Sequence, residues 1–309
     1  MNQRIESELR ESAGSATVDT AAVDRRRICT GPHPIDAETI AEFVRTVREF
    51  PRRDPATGRA VAPVSFAATV RTGAVGALLA DFVPDGTAER ILHVDQVLDL
   101  RRPLVDGDLV VCRAAIESFR HFADYHVLAI RTALVDDNGA AILSGTTSLL
   151  TRIGGDGHRC APDDDRDRPV GVSGSDTDEF ASADGAMPAI GDRIAPWSVW
   201  VPRTDLLGYA RLACATGLAP STIELAYATT YLGRRFGPDA LVRRIRTQTS
   251  RHTHHLTLPA PDGAHLRMGG RVTGLDLGRR RATVALTAHA GHRALFSHAS
   301  VDVQLPPRR

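Results

Sequence analysis

Residues 63–82 read PVSFAATVRTGAVGALLADF, apolar almost all round when wound at helical pitch. Ala67, Ala68, Gly73, Ala74 and Gly76 keep the segment thin, so a sheet can wrap closely against it, and the stretch reads as a buried central helix. Upstream, residues 36–50 (DAETIAEFVRTVREF) place Ile40, Phe43, Val44 and Val47 at helical spacing behind an Asp that can cap the first turn, which predicts an amphipathic helix. Downstream come four strand-like runs, 91–100, 109–119, 125–135 and 140–152, with turn signals at Asp106-Gly107-Asp108 and at Asp136-Asp137-Asn138-Gly139; the last two runs form a hairpin. A long buried helix followed by a long-stranded antiparallel meander is the element order of a hotdog, in which the sheet curls around the helix.

The second half repeats this plan in eroded form. After Ile190-Gly191-Asp192 comes a strand-like run, 197–201, and Thr204 is expected to cap a helix over 205–216. A second helical run spans 220–236, punctuated by Gly217 and Gly237, and strands are predicted at 240–249, 254–258, 265–275, 281–289 and 294–304. Two such units predict an α+β double hotdog, each unit a curled antiparallel sheet around a long central helix, at 29–153 and 188–309. Residues 154–187, rich in Asp, Gly and Ser, read as a disordered linker, and 1–28 as a flexible tail.

A chain of 309 residues with 42% hydrophobic content can build two domain cores. No apolar run approaches the roughly 20 residues that span a bilayer, and the first residues lack a signal-peptide core, so no membrane partner and a cytoplasmic location are expected. Cys29, Cys112, Cys160 and Cys214 show no C-x-x-C spacing, which argues for free thiols over a zinc or redox pair. The formal charge of +1, carried on the basic side entirely by Arg, predicts no nucleic-acid partner.

Several short motifs carry a resemblance to a known family. They are Ala62-Pro63-Val64-Ser65-Phe66-Ala67-Ala68, His93-x-x-Gln96, Arg102-Pro103-Leu104 with Gly107-Asp108, and the Asp136–Gly139 turn. In the second half they are Gly191-Asp192, Arg203-Thr204-Asp205-Leu206 through Tyr209-Ala210, and Gly270-Arg271-Val272-Thr273-Gly274. The chain resembles the MaoC-like hydratase/dehydratase family, and its first half resembles the N-terminal FAS1-type dehydratase domain. The resemblance implies addition or removal of water at the α,β bond of 3-hydroxyacyl or 2-enoyl groups held as CoA or acyl-carrier-protein thioesters, a hydro-lyase reaction in fatty-acid or polyketide-like metabolism. It implies no cofactor and no metal, and it admits a second hotdog subunit or a homodimer.

The family's working pair is an Asp-x-x-x-x-His on the loop before the central helix, whose two side chains together orient and activate the water. Here Arg59 stands five positions after Asp54, the corresponding loop of the second half is nearly deleted around Ala215-Thr216-Gly217, and no Asp or Glu anywhere precedes a His by five. Replacement candidates are His126, near His121 and Asp124; His254, in the Arg251–His255 cluster with His252; and Asp54 itself. Each also reads as an ordinary polar turn or strand end. The helix starts offer a site that needs no dyad: backbone amides near Ser65, Phe66, Ser221 and Thr222 can meet a thioester carbonyl, or the two Ser can simply cap their helices. Arg234, Arg235, Arg243, Arg244 and Arg246 could meet an acidic carrier or a CoA phosphate. Three functions remain open: a lyase with replaced catalytic groups, a noncatalytic partner subunit, and a thioesterase, for which Glu224 is the carboxylate candidate.

Overall fold

The computed structural model describes residues 26–79, 91–122, 125–152, 188–213, 220–249, 263–291 and 293–306. The first half opens with β1 (Arg27–Pro34), then α1 (Ala37–Thr46), a short ribbon of β2 (Arg52–Arg53) and β3 (Ala60–Val61), and the central helix α2 (Phe66–Leu79). Four long strands follow: β4 (Ile91–Leu100), β5 (Leu109–Phe122), β6 (Tyr125–Asp136) and β7 (Ala141–Arg152). The second half has β8 (Arg193–Pro202), α3 (Arg203–Leu212), the central helix α4 (Pro220–Phe236), then β9 (Leu241–Thr249), β10 (Gly263–Asp276), β11 (Arg281–Ala290), the short β12 (Arg293–Ala294) and β13 (Phe296–Gln304).

Their order in the sheet is β1-β5-β6-β7-β4-β9-β13-β11-β10-β8, with β12 beside β11. Reading outward from the middle in either direction gives the same sequence of roles, so the two halves are related by a pseudo-twofold at the antiparallel β4–β9 pair. At that seam Leu98 faces Ile245 and Gln96 faces Thr247, all four buried, while Arg244–Asp99 and Arg246–Asp95 ion pairs lie on the outer face. The alternation along each strand sorts one set inward and the other outward. Gly145 on β7 lets β7 lie close against β4: a Cβ there would lie 2.6 Å from the Val97 carbonyl oxygen.

Local chemistry explains the helix ends. Asp36 caps α1, accepting from the Thr39 amide at 2.8 Å. At its other end Arg48 takes the left-handed conformation (φ 57°), and two late carbonyls are satisfied from the second half: Tyr227 donates to Thr46 O (3.1 Å) and Thr230 to Val47 O (3.1 Å). These bonds, with Gly233 seated against Glu49, pack α4 onto α1.

Three expectations need correction. Arg27 and Ile28, assigned to the tail, already belong to β1, because their backbone pairs with Ala115 and Ala114. Thr204 does not cap α3; the helix begins one residue earlier with Pro202 in the extended cap position and no side-chain cap bond, and Asp205 instead places a charge in the first turn. The same helix ends at Leu212. The strand expected at 254–258, the linker 154–187 and most of the tail lie outside the described residues.

Candidate functional site

The start of α2 meets the middle of α4 at the junction of the halves. Ser65 Oγ, just before α2, and Thr229 Oγ1 lie 3.3 Å apart with both residues buried. Phe66 packs edge-on against Phe43 (centroids 5.3 Å, 87°), and Phe43 packs against Tyr209 at 5.7 Å. Tyr209 donates to Thr222 Oγ1 at 2.9 Å. A continuous buried path therefore runs Phe66–Phe43–Tyr209–Thr222, one helix from each half supplying its ends.

Beside this path is a cavity of about 20 Å³, room for one or two waters. Its polar lining comes from both halves: Arg71 and Thr72 of α2, His93 and Gln96 of β4, Thr147 of β7, and Thr222 of α4. Arg71 donates through Nε to Thr132 Oγ1 (2.8 Å) and through Nη2 to Thr147 Oγ1 (2.7 Å). Burial pulls its pKa down to about 10, so it stays cationic at neutral pH. No sequence motif marks Arg71; its one signal is a charged residue inside a helix with no other charge.

The other sequence candidates fall elsewhere. Asp54 lies in the turn of the β2–β3 ribbon, accepting from Thr57 Oγ1 (2.6 Å) and the Ala56 amide (3.2 Å), bonds that lower its carboxyl pKa. It is spent on that turn. His254, with His252 and His255, lies outside the described residues, as do the side chains of His121, His126 and Ser221. Arg244 and Arg246 are engaged at the seam, Arg243 donates to Arg101 O (3.0 Å), and Arg234 stacks over Trp197 (4.7 Å). Among the described residues no cluster of His, Cys, Asp or Glu could hold a metal, and no helix is long and apolar enough to cross a membrane.

Glu224, the thioesterase candidate, is fully buried one turn into α4, and among the described residues neither carboxylate oxygen has a hydrogen-bond partner. Burial raises its pKa well above the ordinary carboxylate range, which favours the neutral acid.

Comparison with known proteins gives this geometry its setting. Residues 26–144 match the model described as FAS1-like, dehydratase domain region. A UPF0336 protein of Streptomyces avermitilis is 27% identical over 148 residues, covering 45% of this chain and 99% of that protein. A UPF0336 protein of Parafrankia is 29% identical over 129 residues, 39% of this chain and 85% of its own length. Among solved structures, a MaoC-like dehydratase superposes with a TM-score of 0.69 at 18% identity, over 93% of this chain and 99% of that one. A Mycobacterium tuberculosis protein described as a double hotdog gives 0.61 at 13% identity, over 91% and 96%. This chain has the double hotdog fold, and it is similar to the MaoC-like dehydratases in that fold and to the FAS1-like dehydratase domain in the sequence of residues 26–144.

Proposed function

We propose that the chain is a MaoC-like protein of the hydratase/dehydratase type that takes 3-hydroxyacyl or 2-enoyl groups as thioesters of CoA or an acyl carrier protein. The observation that carries this reading is the buried chain of contacts, Phe66–Phe43–Tyr209–Thr222, that links the two central-helix starts. A helix N-terminus carries about half a positive charge, and that field stabilises a thioester carbonyl as it gains enolate character. At α2 the amides of Phe66, Ala67 and Ala68 already donate to the carbonyls of Pro63, Val64 and Ser65, so the helix dipole is what acts there, and it does not depend on an Asp/His pair. In this reading Ser65, Phe66, Ser221 and Thr222 flank the thioester, His126 or His254 handles the proton, and the protein works in the cytoplasm, alone, as a homodimer or with a second hotdog subunit.

A second reading, a noncatalytic hotdog partner of a separate dehydratase subunit, is favoured by one observation: no Asp or Glu in the chain precedes a His by five positions. A thioesterase would need a carboxylate able to reach the carbonyl, and Glu224 is sealed in the core as a neutral acid. Mass-spectrometric turnover of 3-hydroxyacyl and 2-enoyl thioesters, on CoA and on carrier protein, separates the readings. Water gained or lost by the purified protein alone supports the lyase; binding without turnover supports the partner; release of free acid would reverse both.

A further inference from the structure

Arg71 is a buried positive charge with no carboxylate beside it among the described residues. It is 4% exposed, Thr132 and Thr147 take two of its five N–H donors, and no other acceptor among the described residues takes the rest. The titratable groups coupled to it are Cys112 and Tyr209, and burial keeps both protonated, with Cys112 pushed up to about 11; His93 lines the same cavity. Elsewhere an enclosed charge is compensated: the buried Glu49 has Arg52 beside it. A guanidinium withdrawn from water without a counter-charge is strongly unfavourable, and such a group is retained where something else supplies the charge.

The cavity is where that something can sit. Arg71 forms one wall and Gln96, Thr147 and Thr222 bring further polar atoms, while room for one or two waters matches the two oxygens of a carboxylate better than a tetrahedral phosphate. The planar guanidinium also pairs with a carboxylate by two parallel hydrogen bonds. We propose that this cavity accepts a carboxylate held by Arg71.

The carboxylate has two sources: a small free acid, or the far end of an acyl chain. Arg71 lies five residues beyond Phe66, roughly 7.5 Å along the helix and about the span of an eight-carbon chain. The second source rests on the thioester reading proposed above; the site itself does not.

The test uses the full-length protein. Sodium formate, against sodium chloride at equal ionic strength, is expected to raise the melting temperature of the wild type but not of Arg71→Met. Suberoyl-CoA is expected to bind about tenfold tighter than octanoyl-CoA, and Arg71→Met to reverse that preference. Thr147→Val, a milder change to the same group, should weaken both effects and serves if Arg71→Met does not fold. Formate stabilisation without a suberoyl preference assigns the site to free acids. Formate stabilisation with neither CoA ester bound leaves the site standing and sinks the thioester reading. No formate effect together with equal binding of the two esters overturns the proposal.

Discussion

Replacing Glu224 with Met should make the protein more stable, and increasingly so as pH rises. The side chain is fully buried and both oxygens lack partners, so even the neutral acid forgoes hydrogen bonds that it would make to water, a cost of about 1–3 kcal/mol. Met has a similar length, fits an apolar setting and removes that cost. Ionisation adds a second cost with a definite sign. Because burial raises the folded-state pKa, both states are protonated below the unfolded value of about 4.3; above it the unfolded chain releases its proton while the folded one keeps it. Wild-type stability therefore falls by about 1.4 kcal/mol per pH unit through that window, until the folded carboxyl itself ionises. Glu49, also raised by burial, titrates identically in both proteins and cancels from the difference. Urea unfolding of wild type and Glu224→Met at pH 4, 5, 6 and 7 reads both terms: a variant advantage that is small at pH 4 and widens with pH. A variant less stable than wild type at pH 7, or a difference flat with pH, would refute the description of this carboxyl as unpartnered and neutral.

Three further outcomes follow from individual contacts. Gly233→Ala places a Cβ 2.6 Å from Glu49 Oε1, so the buried Glu49 carboxylate must shift against Arg52; a loss of about 1 kcal/mol is expected by denaturant titration. Tyr209→Phe removes the bond to Thr222 and should cost about 1 kcal/mol, with weaker thioester binding if the two helix starts form the site. Asp36→Ala removes the α1 cap, for about 1 kcal/mol in thermal unfolding and no change in ligand binding.

The architecture was legible where periodicity is strong. The run 91–100 coincides with β4, 220–236 coincides with α4, and Asp36 caps α1 as its position before an apolar periodic run implies. The second unit was less clear at its entry, because Pro202 fills the cap position with a residue that has no capping oxygen, leaving Thr204 as the nearest but mistaken signal. The contacts around the candidate site were not legible: Ser65 meets Thr229 and Thr222 accepts from Tyr209, and the pairing of β4 with β9 that brings the halves together is nonlocal and leaves no short-range pattern. Arg71 was overlooked for a related reason: its partners Thr132 and Thr147 are 61 and 76 residues away in the chain, and only the curled sheet sets them over one turn of α2.

The central claim is that an acyl thioester lies between the two central-helix starts. Photocrosslinking with a CoA thioester carrying a diazirine on its acyl chain, followed by peptide mapping, tests it most directly. Labelling of peptides from residues 62–75 and 220–230, suppressed by excess unmodified 2-enoyl-CoA, is the predicted result. Labelling confined to the groove between α1 and the β2–β3 ribbon, or labelling that excess ester does not suppress, would contradict it.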